Sequence, residues 1–377
     1  MAGIYVHIPF CRQACSYCNF YFTTSQRMRN ELVDALVQEA ALQQSYLEPG
    51  EVETVYLGGG TPSLLTGETL QRLFDALFRH FPIRENAEIT LEANPDDLTE
   101  EKIRELRTLP VNRLSIGIQS FDDSTLKELN RSHTAEQAVA AVKRVQDAGF
   151  QNINVDLLYG LPELSIPKWR ETLQRALELQ VTHLSCYALT VEPRTALAYR
   201  QAAGRWKPAD DELAARHLEY LMKAMRQAGW LHYEISNFSC SPQYISRHNS
   251  SYWLGTPYLG LGPSAHSYNG HSRQWNVSDV RRYVQAIAAG RIPCEKEILH
   301  PHQRISEQLL TRLRTVWGFS LQDVPEDERK KMEMRFVPWV QGGWLIKDQD
   351  VLYLTDRGKL IADRIILDLM PDVPDDF

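Results

Sequence analysis

The chain has 377 residues, 43% hydrophobic and 24% charged, enough to bury a large core without disulfides and to form two or three domains of roughly 150 residues. Lys and Arg number 41 against 48 Asp and Glu, a net charge of −7, which argues against nucleic acid as the main partner. No apolar run approaches the ~18 residues of a membrane span, and the opening MAGIYVHIPFC lacks the basic start and long apolar stretch of a secretory signal, so a cytoplasmic protein without a membrane anchor is expected.

The first half alternates between two periodicities. Short β-branched and apolar runs predict strands at Ile4–Ile8, Val52–Leu57, Glu88–Glu92, Arg113–Ile118, Asn152–Leu158 and His183–Leu189. Helical spacing predicts helices at Glu31–Gln44, Leu70–Phe81, Glu100–Arg107, Ala135–Ala148 and Lys168–Leu179. Thr99 stands where an N-cap belongs. Strands alternating with helices imply a parallel sheet with right-handed crossovers, an α/β fold of barrel or part-barrel type. In such folds the chemistry sits at the C-terminal ends of the strands.

After about Glu192 the rhythm changes. A helix is expected at Asp211–Ala228, and the Gly-, Pro- and Tyr-rich stretch Asn237–Tyr268 shows no regular periodicity. Near the end, Trp344–Ile346 and Val351–Leu354 flank a turn at Lys347–Asp350, and Asp356–Met370 returns to helix. Helices around a hairpin read as a winged-helix-like module, here a packing unit, since no basic recognition helix accompanies it. The acidic tail Pro371–Phe377 is expected to fray. The division expected is 1–200 and 201–377.

Of six cysteines, Cys11, Cys15 and Cys18 fall in one CxxxCxxC loop directly after the first strand. Three thiolates on a short loop suit three irons of a [4Fe–4S] cluster and leave the fourth iron open. Structural zinc asks for four protein ligands in two pairs, and no second CxxC is present. An open iron suits chelation of S-adenosylmethionine (SAM), whose C–S bond an electron from the cluster breaks to a 5′-deoxyadenosyl radical. Polar groups recur at the following strand ends: Gly58-Gly59-Gly60-Thr61-Pro62, Glu92, Gln119, Arg131 just beyond, and Asp156. Glycines let backbone approach a ligand, arginine pairs with a carboxylate, and carboxylates accept from an ammonium or ribose hydroxyls. Singly, each is equally a turn or capping residue. Cys186 lies within a strand and reads as a buried small hydrophobe. His7 reads as structural.

Tyr5-Val-His-Ile-Pro-Phe-Cys11, the cysteine loop, the Gly-Gly-Gly-Thr-Pro run, Ser115-Ile-Gly-Ile-Gln-Ser-Phe121 and Asp156-Leu-Leu-Tyr-Gly-Leu-Pro162 resemble the radical SAM family of oxygen-independent coproporphyrinogen III oxidases and their relatives. Within it, His248-Asn249-Ser-Ser-Tyr252-Trp253 is similar to the HNxxYW pattern of the HemW, or heme chaperone, branch. The resemblance implies a radical SAM partial TIM barrel, (β/α)6, a HemN-like C-terminal domain, and delivery of heme to acceptor hemoproteins such as respiratory-chain components. It implies SAM contacts at Tyr5, Gly59, Gly60, Thr61, Glu92, Gln119, Arg131 and Asp156, and heme contacts at His248, Tyr252 and Trp253. A monomer or a heme-dependent dimer fits this. Two departures separate the chain from the oxidases: their CxxxCxxCxC pattern meets Phe20 here, and their long N-terminal extension is missing ahead of Cys11. The oxidase, or another tetrapyrrole radical enzyme, is the alternative. Read as residues alone, His248-Asn249 equally suits a hydrogen-bond anchor in a Tyr-rich loop, His266 is a second heme candidate, and Cys240 a weaker one.

Overall fold

The computed structural model describes residues 2–47 and 50–372. Six strands, β1 (Ala2–Ile8), β2 (Val52–Gly59), β3 (Ile83–Ala93), β4 (Arg113–Gln119), β5 (Asn152–Tyr159) and β6 (His183–Ala188), pair in parallel in sequence order. All six match the expected positions. Four of the helices between them open on Ser or Thr side-chain caps. Thr66, Thr99, Thr134 and Ser165 each accept from the backbone N–H three residues on, an N-cap that satisfies an otherwise orphaned donor. Alternate residues of β1, Ile4, Val6 and Ile8, are buried in one core with Leu32 and Leu36 of the helix Arg29–Leu42. The intervening Tyr5 and His7 therefore face the concave side.

The sheet continues beyond these six. β7 (Leu231–Glu234) and β8 (Asn237–Ser239) add antiparallel beyond β6. On the other edge β9 (Tyr258–Leu261) joins β1 in parallel, and β10 (His266–Tyr268), β11 (Ser272–Asn276) and β12 (Cys294–Ile298) follow antiparallel. The stretch 237–268, aperiodic in sequence, is thus regular: it holds the three strands β8, β9 and β10, with a helix Arg247–Trp253 between β8 and β9. Its elements run three to seven residues, too short for a periodicity window of 11–18 residues to register.

A second core lies toward the C-terminus. Leu309, Met332, Phe336, Leu352 and Ile365 meet between helices Pro301–Arg312, Glu326–Gln341 and Ala362–Leu369 and the sheet β13 (Phe319–Ser320), β14 (Leu345–Asp348) and β15 (Val351–Leu354). This is the winged-helix-like module. Its hairpin turns on Gln349-Asp350, since Asp348 pairs directly with Val351. Most of the acidic tail, 373–377, lies outside the described residues.

Glu39 ties the helix Arg29–Leu42 to the far edge of the sheet. Fully buried, it accepts from Gly262 N–H (2.8 Å), Asn276 Nδ2 (2.7 Å) and Tyr283 Oη (2.5 Å). Burial, the largest influence, lifts its pKa from 4.5 to about 7 against these hydrogen bonds. Between those values the folded chain holds a proton that the unfolded chain has released. Stability therefore falls as pH rises from 4.5 to 7, by at most about 1.4 kcal/mol per pH unit for each such group. Glu92 and Glu234 shift the same way, to about 7. Urea midpoints across this window are expected to decline, and Glu39→Gln to lessen the slope; an unchanged slope would contradict this role of Glu39.

Candidate functional site

The C-terminal ends of β1–β6 open on the cysteine loop. Backbone and side-chain bonds stitch that loop to the segment after β4. Ser16 N–H donates to Leu129 O (3.0 Å), Asn130 Nδ2 to Ala14 O (2.7 Å), and Gln13 Nε2 to Asn130 Oδ1 (2.6 Å). Arg12 pairs with buried Asp97 at 2.8 Å. The three thiols are free and half-buried. Burial pushes Cys11 up and Cys18 up to about 11, and each also feels the charge of Cys15. Metal binding displaces such protons, so affinity here rises with pH.

Two donors already point at sulfur. Thr61 Oγ1 lies 3.6 Å from Cys11 Sγ, and Arg131 donates from Nη1 to Cys15 Sγ at 3.2 Å. Arg131 also donates from Nη2 to Asn94 Oδ1 and Gly117 O, both 2.6 Å, while Asn94 Nδ2 donates to Thr61 Oγ1 at 3.2 Å. Thr61, Asn94, Arg131 and two cysteines thus form one network. Arg131 Nε is buried and has no hydrogen-bond partner among the described residues.

Glu92 forms a second group beside it. Its carboxylate accepts from Tyr56 Oη (2.7 Å) and Gly59 N–H (3.1 Å). Burial, with Asp156 nearby adding to it, lifts its pKa to about 7 against these hydrogen bonds. Gly59 has φ +101°, and a Cβ there would sit 2.4 Å from the His7 ring, so the tight turn admits only glycine. Gly60 N–H closes the same turn onto Ile8 O at 2.8 Å. Tyr5 Oη bonds His7 Nδ1 (3.0 Å), and its ring is stacked 6.2 Å from Tyr56. His7 Nε2 is bonded to Tyr21 O (2.9 Å), the structural position expected for it. Gln119 holds a left-handed φ of +70° at a bulge between β4 and β5. Such strain in a non-glycine residue persists only where its surroundings enforce it. Asp156 accepts from Asn154 Nδ2 (2.7 Å) and is raised by burial.

The HNxxYW segment lies behind this wall. His248 is buried, with Nδ1 bonded to Thr54 Oγ1 and Nε2 to Tyr252 Oη, both 2.8 Å. Its ring is stacked on Tyr56 at 5.0 Å. Burial, then Arg113, pushes its pKa down to about 3, so the ring is neutral. Glu88 accepts from the backbone N–H of Arg247 and His248, fixing the helix start. With both ring nitrogens occupied, an iron bond to His248 requires one hydrogen bond to break. Trp253 ends this helix, half-buried. Cys186 is fully buried in the barrel core, and Cys240 N–H is bonded to Thr182 O ahead of β6, at the opposite end of the barrel from the cysteine loop.

Sequence reasoning missed Asn94, Tyr56 and Thr54. Period-two spacing offered a signal: Asn94 follows Glu92 by two residues, and Tyr56 precedes Gly58 by two, so each shares its neighbour's face.

The donor set suits an iron–sulfur cluster with SAM: free thiols with donors to sulfur, and an unpartnered buried guanidinium nitrogen beside them. Among the described residues no three His, Cys, Asp or Glu side chains gather around one ion; in a four-iron cluster each thiolate takes its own iron. The Radical SAM superfamily model matches residues 5–176. "Heme chaperone HemW" of Bacillus subtilis is 34% identical over 373 residues, covering 97% of this chain and 98% of that protein. The protein of the same name from Mycobacterium tuberculosis H37Rv is 36% identical, covering 98% and 94%. The structure of coproporphyrinogen III oxidase (HemN) from Escherichia coli, a radical SAM enzyme, has a TM-score of 0.83 at 23% identity, covering 98% of this chain and 90% of that one, and shows a shared fold. By sequence, cysteine loop and fold together, the chain belongs to the HemW family of radical SAM proteins.

Proposed function

We propose that this chain carries heme and hands it to acceptor hemoproteins, with a cluster and SAM site that gates the release. The observation carrying this reading is the continuity of the two motifs: the His248 ring is stacked on Tyr56, whose hydroxyl donates to Glu92. A change at Glu92 is therefore felt in the HNxxYW segment. The names of the Bacillus and Mycobacterium relatives support the heme part.

Cys11, Cys15 and Cys18 would hold a [4Fe–4S] cluster here, leaving one iron open to SAM. When bound, such a cluster supplies the electron that cleaves a C–S bond of SAM. Tyr5, Gly59, Gly60, Thr61, Gln119 and Asp156 line the SAM pocket with Glu92 and Arg131. Arg131 Nε pairs with the methionyl carboxylate. Glu92 and Asp156 accept from the ammonium and ribose hydroxyls. His248 serves heme from behind by fixing Tyr252, and Tyr252 and Trp253 offer flat rings to the porphyrin.

Glu92 has a pKa of about 7 and must ionise to accept these donors. SAM affinity is expected to rise with pH and level off above 7, falling by up to about tenfold per unit below it. Calorimetric titration across this range checks it. Glu92→Gln is expected to bind weakly without the pH dependence, and a flat wild-type profile would remove Glu92 from the pocket.

An anaerobic assay of the reconstituted protein with reductant, SAM and coproporphyrinogen III tests the function against the oxidase. No protoporphyrinogen is expected over many turnovers, because Phe20 stands where the oxidase pattern has a further cysteine. Sustained product would make the oxidase the correct reading.

A further inference from the structure

The concave face continues past β1 onto β9–β11 as a row of rings. Tyr252 meets Tyr258 edge-on at 4.6 Å, and Tyr258 lies opposite Tyr268, 6.4 Å away. Next on β10 comes His266, opposite Trp275, with the two rings 6.0 Å apart and inclined by 26°. Strand alternation puts Tyr258, Tyr268, His266 and Trp275 on the face that carries Tyr5 and His7. His266 is close enough to His7 to disfavour its protonation. The row thus leads from the HNxxYW segment to His266 on β10.

His266 differs from the other histidines of this face. His7 and His248 have both ring nitrogens hydrogen-bonded. His266 is exposed, and among the described residues no hydrogen bond engages either of its nitrogens. Its backbone is held firmly. Gly262 opens the preceding turn with φ +103°, and that turn is bonded to Glu39 and Asn276. Beyond Trp275 a groove of about 630 Å³ is lined by Ile292, Cys294, Arg282 and Arg291. Flat rings, a free imidazole and two guanidinium groups match a planar iron macrocycle bearing carboxylates.

We propose that His266 is the iron-ligating residue for the carried heme, with Tyr268 and Trp275 against the macrocycle and Arg282 and Arg291 receiving its carboxylates. This rests on the heme-carrying reading above. It gives the HNxxYW histidine a positioning role and assigns ligation to a residue on a neighbouring strand.

The test titrates ferric heme into cluster-reconstituted wild-type and His266→Ala protein, reading the Soret band and affinity. Unchanged iron–sulfur content and thermal midpoint confirm that the variant is folded. The variant is expected to lose the imidazole-ligated Soret band and at least about tenfold in affinity, and added free imidazole to restore the band. Arg282→Glu with Arg291→Glu is expected to weaken binding without altering the band. A wild-type band and affinity in His266→Ala would overturn the proposal while leaving heme carriage intact. A wild-type protein that binds no heme would overturn both.

Discussion

Cys15→Ala is expected to leave the reconstituted protein with almost no iron, acid-labile sulfide or broad visible iron–sulfur absorbance. A four-iron cluster on three protein thiolates has no spare ligand. Cys15 Sγ also accepts from the Arg131 guanidinium at 3.2 Å. The loop itself should survive the change, since its anchors are Ser16 on Leu129, Ala14 on Asn130 and Arg12 on Asp97. Cys186→Ala is the control: that thiol is fully buried, and burial raises its pKa far above the ordinary range, so it is unsuited to a metal and its loss should spare the cluster. Full cluster retention in Cys15→Ala, measured by iron and sulfide analysis, would contradict the assignment.

His248→Ala is expected to destabilise the fold by about 3 kcal/mol, from lost packing and two buried hydroxyl groups left without their partner. Thr54 Oγ1 and Tyr252 Oη are those groups. His248→Phe keeps a ring against Tyr56 and separates packing from hydrogen bonding. In His248→Ala SAM affinity should fall, because Tyr56 is freed to leave Glu92, whereas His248→Phe, which keeps the stacking, should retain it. Urea denaturation and SAM titration together check this. A variant with altered heme spectrum but wild-type stability and SAM affinity would mean that His248 binds iron directly.

The parallel strands are legible because each is a run of five to seven apolar or β-branched residues between capped helices. Thr99 is legible for the same reason: its cap precedes a clear helical pattern and is observed. The cysteine loop and polar strand ends are legible as a group, since part-barrel geometry gathers strand ends wherever the strands are right. The stretch 237–268 is not, because β9 is stabilised by pairing with β1, more than 250 residues away in sequence, and not by its own pattern. The inward direction of His248 is also invisible: a seven-residue helix offers too few positions for a face to show. Asn94 becomes meaningful once Arg131 is seen to bridge it to the cysteine loop.

The most direct test of the account is heme transfer. Protein reconstituted with its cluster is loaded with heme and mixed with an apo-hemoprotein, with and without SAM and reductant, and filling of the acceptor is followed by its absorbance. The account predicts that the loaded protein fills the acceptor faster than free heme does, and that SAM with reductant changes the rate. An acceptor that fills no faster than with free heme, at a rate indifferent to SAM and reductant, would contradict it.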